Sequence, residues 1–256
     1  GVDTTLDFRF RNHLKIGFDR FDHGIIKRRI AEGYSEADEP WHIGHPIVFP
    51  YILRLPKSFQ IRVPVDDTHT LHMAYGVYRP GIPVPPQTTV PVYDIPLYEA
   101  DGSFAIDFSL GQDMMAWVTQ RPIAERDLEV LAVSDIGIIM YRQLLLEQIE
   151  RVERGEEPME VYRDPAANTI IQLPAETGVS SGPSSVKNPA GAVMMMERAR
   201  LNTFEDKFGP LTDHVAGLFR EAAGRMAQGE PMITAPPAPV YPVGYMEHRV
   251  AELRPG

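Results

Sequence analysis

Asp113 lies in Gly111-Gln112-Asp113-Met114-Met115-Ala116-Trp117-Val118-Thr119-Gln120, a carboxylate set among small and apolar neighbours. A carboxylate that folds into such surroundings needs a cation or a proton to offset its desolvation, so Asp113 is read as one ligand of a mononuclear metal site. That reading calls for two histidine partners. Gln112 can orient the carboxylate from behind, or it can make a simple hydrogen bond at a helix start. Met114, Met115 and Trp117 are expected in the core, where such side chains usually pack.

The eight histidines do not supply the partners readily. His69 and His72 are three residues apart in a stretch of strand character, which points them to opposite faces. His42 and His45 flank Ile43-Gly44, where a turn can bring them together, but a histidine there more often satisfies hydrogen bonds. His13 and His23 fall in a charged entry segment and are expected to be exposed. His214 and His248 have no acidic partner at ligand spacing. Among the cations, Arg28, Arg29, Arg54 and Arg62 are candidates for a substrate carboxylate, since a guanidinium fork matches that group. Arg62 ranks first because its strand neighbours are apolar.

The elements that must carry these residues follow from pattern. Phe59-Gln60-Ile61-Arg62-Val63-Pro64-Val65 alternates and ends at Asp66-Asp67, Thr68 to Tyr78 continues as a strand, and Ile47 to Leu55 is an apolar strand interrupted by Pro50. The proline-rich Arg79 to Pro86 then breaks the sheet. A helix starts at Ser134-Asp135, with Ile138, Ile139, Leu144, Leu145, Ile149 and Val152 as its apolar stripe, and stops near Gly155. Arg163 to Pro189 reads as a mobile loop, Met194-Met195-Met196 as packing or hinge, Thr212 to Ala227 as a second helix with Val215, Leu218, Phe219 and Ala222 on one face, and Pro231 to Pro242 as extended. The class is α+β, an antiparallel sheet with packed C-terminal helices.

Composition narrows the functions. At 256 residues and 43% hydrophobic the chain can bury one core, and one domain over 1–256 is expected. A net charge of -10 without a long basic run argues against nucleic acid. The absence of cysteine excludes disulfides, thiolate zinc and any iron-sulfur cluster on these residues. No apolar run is long enough to span a bilayer, and Gly1-Val2-Asp3-Thr4-Thr5 lacks a signal pattern, so no membrane association and a cytoplasmic location are expected.

Trp41-His42-Ile43-Gly44-His45-Pro46-Ile47-Val48-Phe49-Pro50 with Ile52-Leu53-Arg54, followed by Gln60 to Thr70, resembles the catalytic domain of Rieske non-heme iron oxygenases of the phthalate dioxygenase and dehydrodivanillate O-demethylase type. Gln112-Asp113 through Ile123-Ala124-Glu125-Arg126, Ser134-Asp135-Ile136-Gly137-Ile138 with Tyr141-Arg142, and Asp164-Pro165-Ala166 complete five motifs in order, over about Gly1 to Leu173. The resemblance implies a helix-grip catalytic domain and a mononuclear Fe(II) held by two histidines and Asp113. It implies a [2Fe-2S] cluster on an N-terminal Rieske domain outside these residues, with Asp3 as the electron-transfer bridge between neighbouring subunits. It implies electrons from NAD(P)H through a ferredoxin or reductase component, dioxygen as co-substrate, an aromatic and carboxylated substrate that is hydroxylated or O-demethylated, and a homotrimer.

One departure stands out. The first histidine ligand is expected at residue six, where the chain has Leu6, and no His-x-x-x-x-His pair occurs. The preferred expectation is that a segment carrying both histidines is omitted between Thr5 and Leu6. The competing expectation is a homologue that has lost its iron and serves as a non-enzymatic binder of a hydrophobic ligand or as a structural subunit.

Overall fold

Lys15-Ile16-Gly17-Phe18-Asp19-Arg20-Phe21 puts Ile16 and Phe18 on one side and Lys15 and Asp19 on the other, and it forms strand β1 (His13–Phe21), which turns back as β2 (Gly24–Ala31) with Phe21 opposite Gly24. In the computed structural model of the chain, residues 11–55, 58–77, 80–106 apart from 85, 87, 89, 91 and 93, 109–174, 217–231, 233 and 239–253 are described. Five further strands complete the sheet: β3 (His45–Val48), β4 (Ile52–Leu55), β5 (Ser58–Pro64), β6 (Thr70–Gly76) and β7 (His248–Glu252). Their order is β6-β5-β4-β3-β2-β1-β7, with every pairing antiparallel. With the helices below, this is the expected α+β class.

Three expectations change here. The entry segment is not an exposed lead-in but the hairpin on which the sheet is built; its charges mislead because both strand faces are covered. Ile47 to Leu55 is two strands rather than one, since the chain turns at Phe49-Pro50-Tyr51, where the Phe49–Pro50 peptide is cis. The seventh strand comes from the far end of the chain, after the proline-rich segment, whose described residues carry no regular element.

Cross-strand partners share a face, so the register sorts the sheet into two sides. One side holds Ile16, Phe18, Arg20, Ile25, Lys27, Arg29, His45, Ile47, Leu53, Gln60, Arg62 and His72. Helix α3 (Ile136–Glu153) lies on it: Met140 and Leu144 join Ile16, Phe18, Ile25, Phe49 and Ala251 in the core, and Arg20 forks onto Glu147 at 3.0 and 2.7 Å. Each fully buried large apolar side chain there contributes about 1.5–3 kcal/mol relative to exposure. The buried face of α3 is Gly137, Met140, Leu144 and Gln148. The expected stripe is therefore wrong except for Leu144: Ile138, Ile139, Leu145, Ile149 and Val152 are exposed. The reason is close approach, because a Cβ on Gly137 would stand 2.2 Å from the Phe18 ring. The helix ends as expected at Gly155, whose φ of 77° suits a residue without a Cβ.

On the opposite side sit Gly17, Asp19 and Arg28 beneath the short α1 (Glu39–His42). Asp19 and Arg28 are fully buried and paired, and Arg28 also donates to the carbonyls of Trp41 at 2.7 Å, His42 at 2.8 Å and Tyr241 at 2.9 Å. Asp19 additionally accepts from the Gly244 N–H at 3.1 Å and pairs with His248. This network ties α1 and the segment leading into β7 to the first hairpin. Helix α2 (Ser109–Val118) lies toward the other edge of the sheet, and α4 covers residues 217–227 with Phe219 and Ala222 fully buried. Thus the described part of the second expected helix is helical, and of the residues assigned to its apolar face it buries Phe219 and Ala222 and half-buries Leu218, while Val215 lies outside the described residues. The start of that helix, the expected mobile loop beyond residue 174, the triple methionine and Asp3 lie outside the described residues.

Candidate functional site

Asp66 organises the turn between β5 and β6. Its Oδ1 accepts from the backbone N–H groups of Thr68 and His69, each at 2.8 Å, and the Thr68 N–H first, then the His69 ring, hold its carboxyl down at about 2. The turn fixes the register, and that register sets Arg62 directly opposite His72 on the helix-bearing face. His69 stays in the turn, exposed and paired with Asp66, rather than on the strand where its spacing placed it on the face opposite His72.

Helix α2 brings the second half of the site. Asp113 and Trp117 are four residues apart and so share one side of the helix. The Trp117 ring lies 4.8 Å from the His72 ring at 46°, and the Arg62 guanidinium carbon is 5.4 Å from the Trp117 ring centroid. Arg62 Nη2 donates to Gln60 Oε1 at 2.7 Å. The charge of Asp113 reaches both Arg62 and His72, opposing the effect of burial on each. Burial lowers the pKa of Arg62, although a guanidinium keeps its charge at any working pH. Burial, aided by the charge of Arg62, lowers that of His72 and favours its neutral form. Both ring nitrogens of His72 are covered and hydrogen-bond to nothing.

The structure therefore assembles Arg62, Asp113, His72 and Trp117, of which the sequence singled out the first two for the site. The premise of a buried Asp113 fails, for the carboxylate is exposed on α2. Gln112 donates to the carbonyl of Ile106 at 2.9 Å, the helix-start alternative rather than a contact with Asp113. Trp117 is 36% exposed and forms a wall over the cations instead of core. The other arginines separate by face. Arg28 belongs to the buried network, Arg54 lies over Phe59 on the far side at 5.4 Å, and Arg29 shares the site's face beside His45 at 3.4 Å. His42 and His45 do not converge, since His42 ends α1 on the opposite side. His23 is partly buried against Glu160 at 2.9 Å, and His248 has an acidic partner in Asp19, a neighbour no sequence spacing could announce.

His72 and Trp117 could have been found. Arg62 and His72 stand at equal distances from Asp67 in sequence, so a hairpin turning there pairs them, and Trp117 is one helical turn beyond Asp113. Histidine-to-histidine spacing does not reveal the pair, because the partner of His72 is an arginine.

Among the described residues no group of three histidine, aspartate, glutamate or cysteine side chains is placed to hold a metal ion. Asp113 offers one carboxylate, so an iron triad is not complete on the described residues.

Residues 100–172, which hold α2, α3 and Asp113, match the family described as LigXa C-terminal domain like. The chain is also 33% identical over 190 residues to the 5,5'-dehydrodivanillate O-demethylase oxygenase subunit of Sphingobium sp. (strain NBRC 103272 / SYK-6), an alignment covering 73% of this chain and 45% of that protein. The chain thus spans about half the length of the curated relative it matches.

Proposed function

Given that the chain belongs with the C-terminal catalytic domains of Rieske oxygenases, we propose that the protein is an oxygenase of aromatic compounds, acting by O-demethylation or ring hydroxylation of a carboxylated substrate. The observation that carries this is the meeting of Asp113 on α2 with Arg62 and His72 on the β5–β6 hairpin, under Trp117. An acidic chain of net charge -10 has gathered Lys27, Arg29 and Arg62, with His13, His45 and His72, on the face its helices cover, a potential suited to an anionic guest.

In this reading Asp113 would be the carboxylate ligand of a mononuclear Fe(II), which would supply the activation of dioxygen. The two histidine ligands would belong to sequence between Thr5 and Leu6, Asp3 would stand toward a [2Fe-2S] cluster on a preceding Rieske domain, and a ferredoxin or reductase using NAD(P)H would be the partner that supplies electrons. The assembly is a homotrimer in the cytoplasm, and the domain is a single unit of helix-grip type. The chain's own residues bind and exclude water: Arg62 holds the substrate's anionic end, Trp117 covers it, and Gln112 steadies the start of the helix bearing Asp113.

The test uses the full-length protein with a reductase and a methoxybenzoate. One mononuclear iron and one [2Fe-2S] cluster per chain are expected, together with oxygen uptake matched by a phenol and formaldehyde, or by a ring diol. A protein that binds neither metal centre overturns the reading. Sequencing the gene across Thr5-Leu6 tests the histidines; a direct junction removes them.

A further inference from the structure

The two ring nitrogens of His72 are buried and hydrogen-bond to nothing, whereas buried polar groups in folded proteins are generally paired. A neutral imidazole carries one N–H donor and one acceptor, and an unpaired buried polar group costs about 1–3 kcal/mol. A hydrophobic residue would fill the same place on β6 without that cost. Next to His72, Arg62 keeps its charge although burial opposes it, and its hydrogen-bond partner is the neutral Gln60. The carboxylate of Asp113 acts on Arg62 through its field and makes no ion-pair contact with it. What covers both groups is an aromatic ring, Trp117, itself 36% exposed.

An unpaired imidazole donor, a guanidinium without its anion and a ring lying over both describe the complement of one kind of guest. We propose that the Arg62–His72 pair is the specificity-determining subsite for an acidic oxygen on an aromatic ring, with His72 donating one hydrogen bond to the oxygen that Arg62 neutralises. The guest ring takes the place of the Trp117 indole against the imidazole, and the indole closes on its outer face. This deepens the proposed function and rests on it for the identity of the guest as substrate, but not for the binding of an aromatic acid. His72 touches the guest without exchanging a proton with it, so no bond is made or broken at this subsite.

Binding of 3-methoxybenzoate and of its methyl ester to the full-length protein, measured by calorimetry without reductant so that no turnover occurs, tests the subsite. The acid is expected to bind at least about tenfold more tightly than the ester, the value of one charge-assisted contact. His72→Phe and Arg62→Met are each expected to reduce that preference to less than about threefold, whereas His72→Gln, which keeps a donor in a similar volume, retains most of it. Equal binding of acid and ester, binding of neither, or a preference that survives both His72→Phe and Arg62→Met overturns the proposal. His72→Gln keeps the test decisive should His72→Phe fail to fold. Acid-selective binding without any oxygen uptake in the reductase assay leaves the subsite standing and removes the oxygenase reading. Turnover with no preference for the acid does the reverse.

Discussion

Two aspartates of this chain show how surroundings set the role of a carboxylate. Asp19 is fully buried, where Arg28, His248 and the Gly244 N–H together satisfy it. Asp113 is exposed on α2 and acts on Arg62 and His72 only through its field. Removing one partner of a buried ion pair leaves an uncompensated charge, so Asp19→Ala should lose about 3–5 kcal/mol in chemical denaturation. Asp113→Asn should stay within about 0.5 kcal/mol of the parent in the same experiment, as surface changes do. Its turnover in the full-length protein should nevertheless fall by at least about a hundredfold if Asp113 serves as the proposed ligand. Loss of activity together with stability would assign Asp113 a structural role instead.

At the scale of elements, close approach outranks hydrophobic pattern. The face of α3 that reads as apolar is exposed, because Gly137 lets the helix settle on Phe18 and turns Met140, Leu144 and Gln148 inward. Gln148 then accepts from the Met159 N–H at 2.8 Å, and Arg142 grips Glu129, Nη2 to Oε1 at 2.8 Å, fixing the segment that follows α2. Gly137→Ala raises helix propensity yet drives a methyl into the Phe18 ring. A net loss of about 1–3 kcal/mol is expected in thermal or chemical unfolding. The added truncation Phe18→Leu should recover part of it, and a Gly137→Ala protein as stable as the parent would contradict this packing.

The β5–β6 turn has its own titration. The carboxyl of Asp66 sits near 2 in the folded chain against its ordinary 3.8, so its contribution is complete above 3.8 and disappears as pH falls through about 2. An NMR titration should show the Asp66 carboxyl shifting in that low range and moving upward in Thr68→Pro, which removes the backbone donor.

For the whole molecule, the acid response should come from the sheet face that the helices cover. His13 lies there with its pKa lowered from 6.5 by burial first and then by Arg29 and Lys27. A histidine depressed in the fold binds its proton more readily when unfolded. Its neutral form therefore supports stability fully above 6.5, and that support is lost as pH falls below 6.5 toward the folded value. The denaturation midpoint should drop between pH 7.5 and 5.5, and His13→Gln should flatten the slope. An unchanged slope would place the acid sensitivity elsewhere.

Local pattern determined a good deal by itself. The strands around Arg62 and His72, the turn at Asp66, the long helix and its glycine stop, the α+β class, and Arg62 and Asp113 as residues to watch all rest on neighbours within a few positions, which alternation, helical spacing and turn chemistry record. The ordered motifs through Asp164-Pro165-Ala166 recorded the family. Tertiary structure alone decided the rest: that a charged opening segment carries the central hairpin, that β7 returns to pair with it, that α3 buries its smaller face, and that His72 and Trp117 join Arg62 and Asp113. Those outcomes depend on contacts between residues far apart in sequence, where a buried charge finds a distant partner and a missing Cβ admits a distant ring, and no local periodicity encodes either.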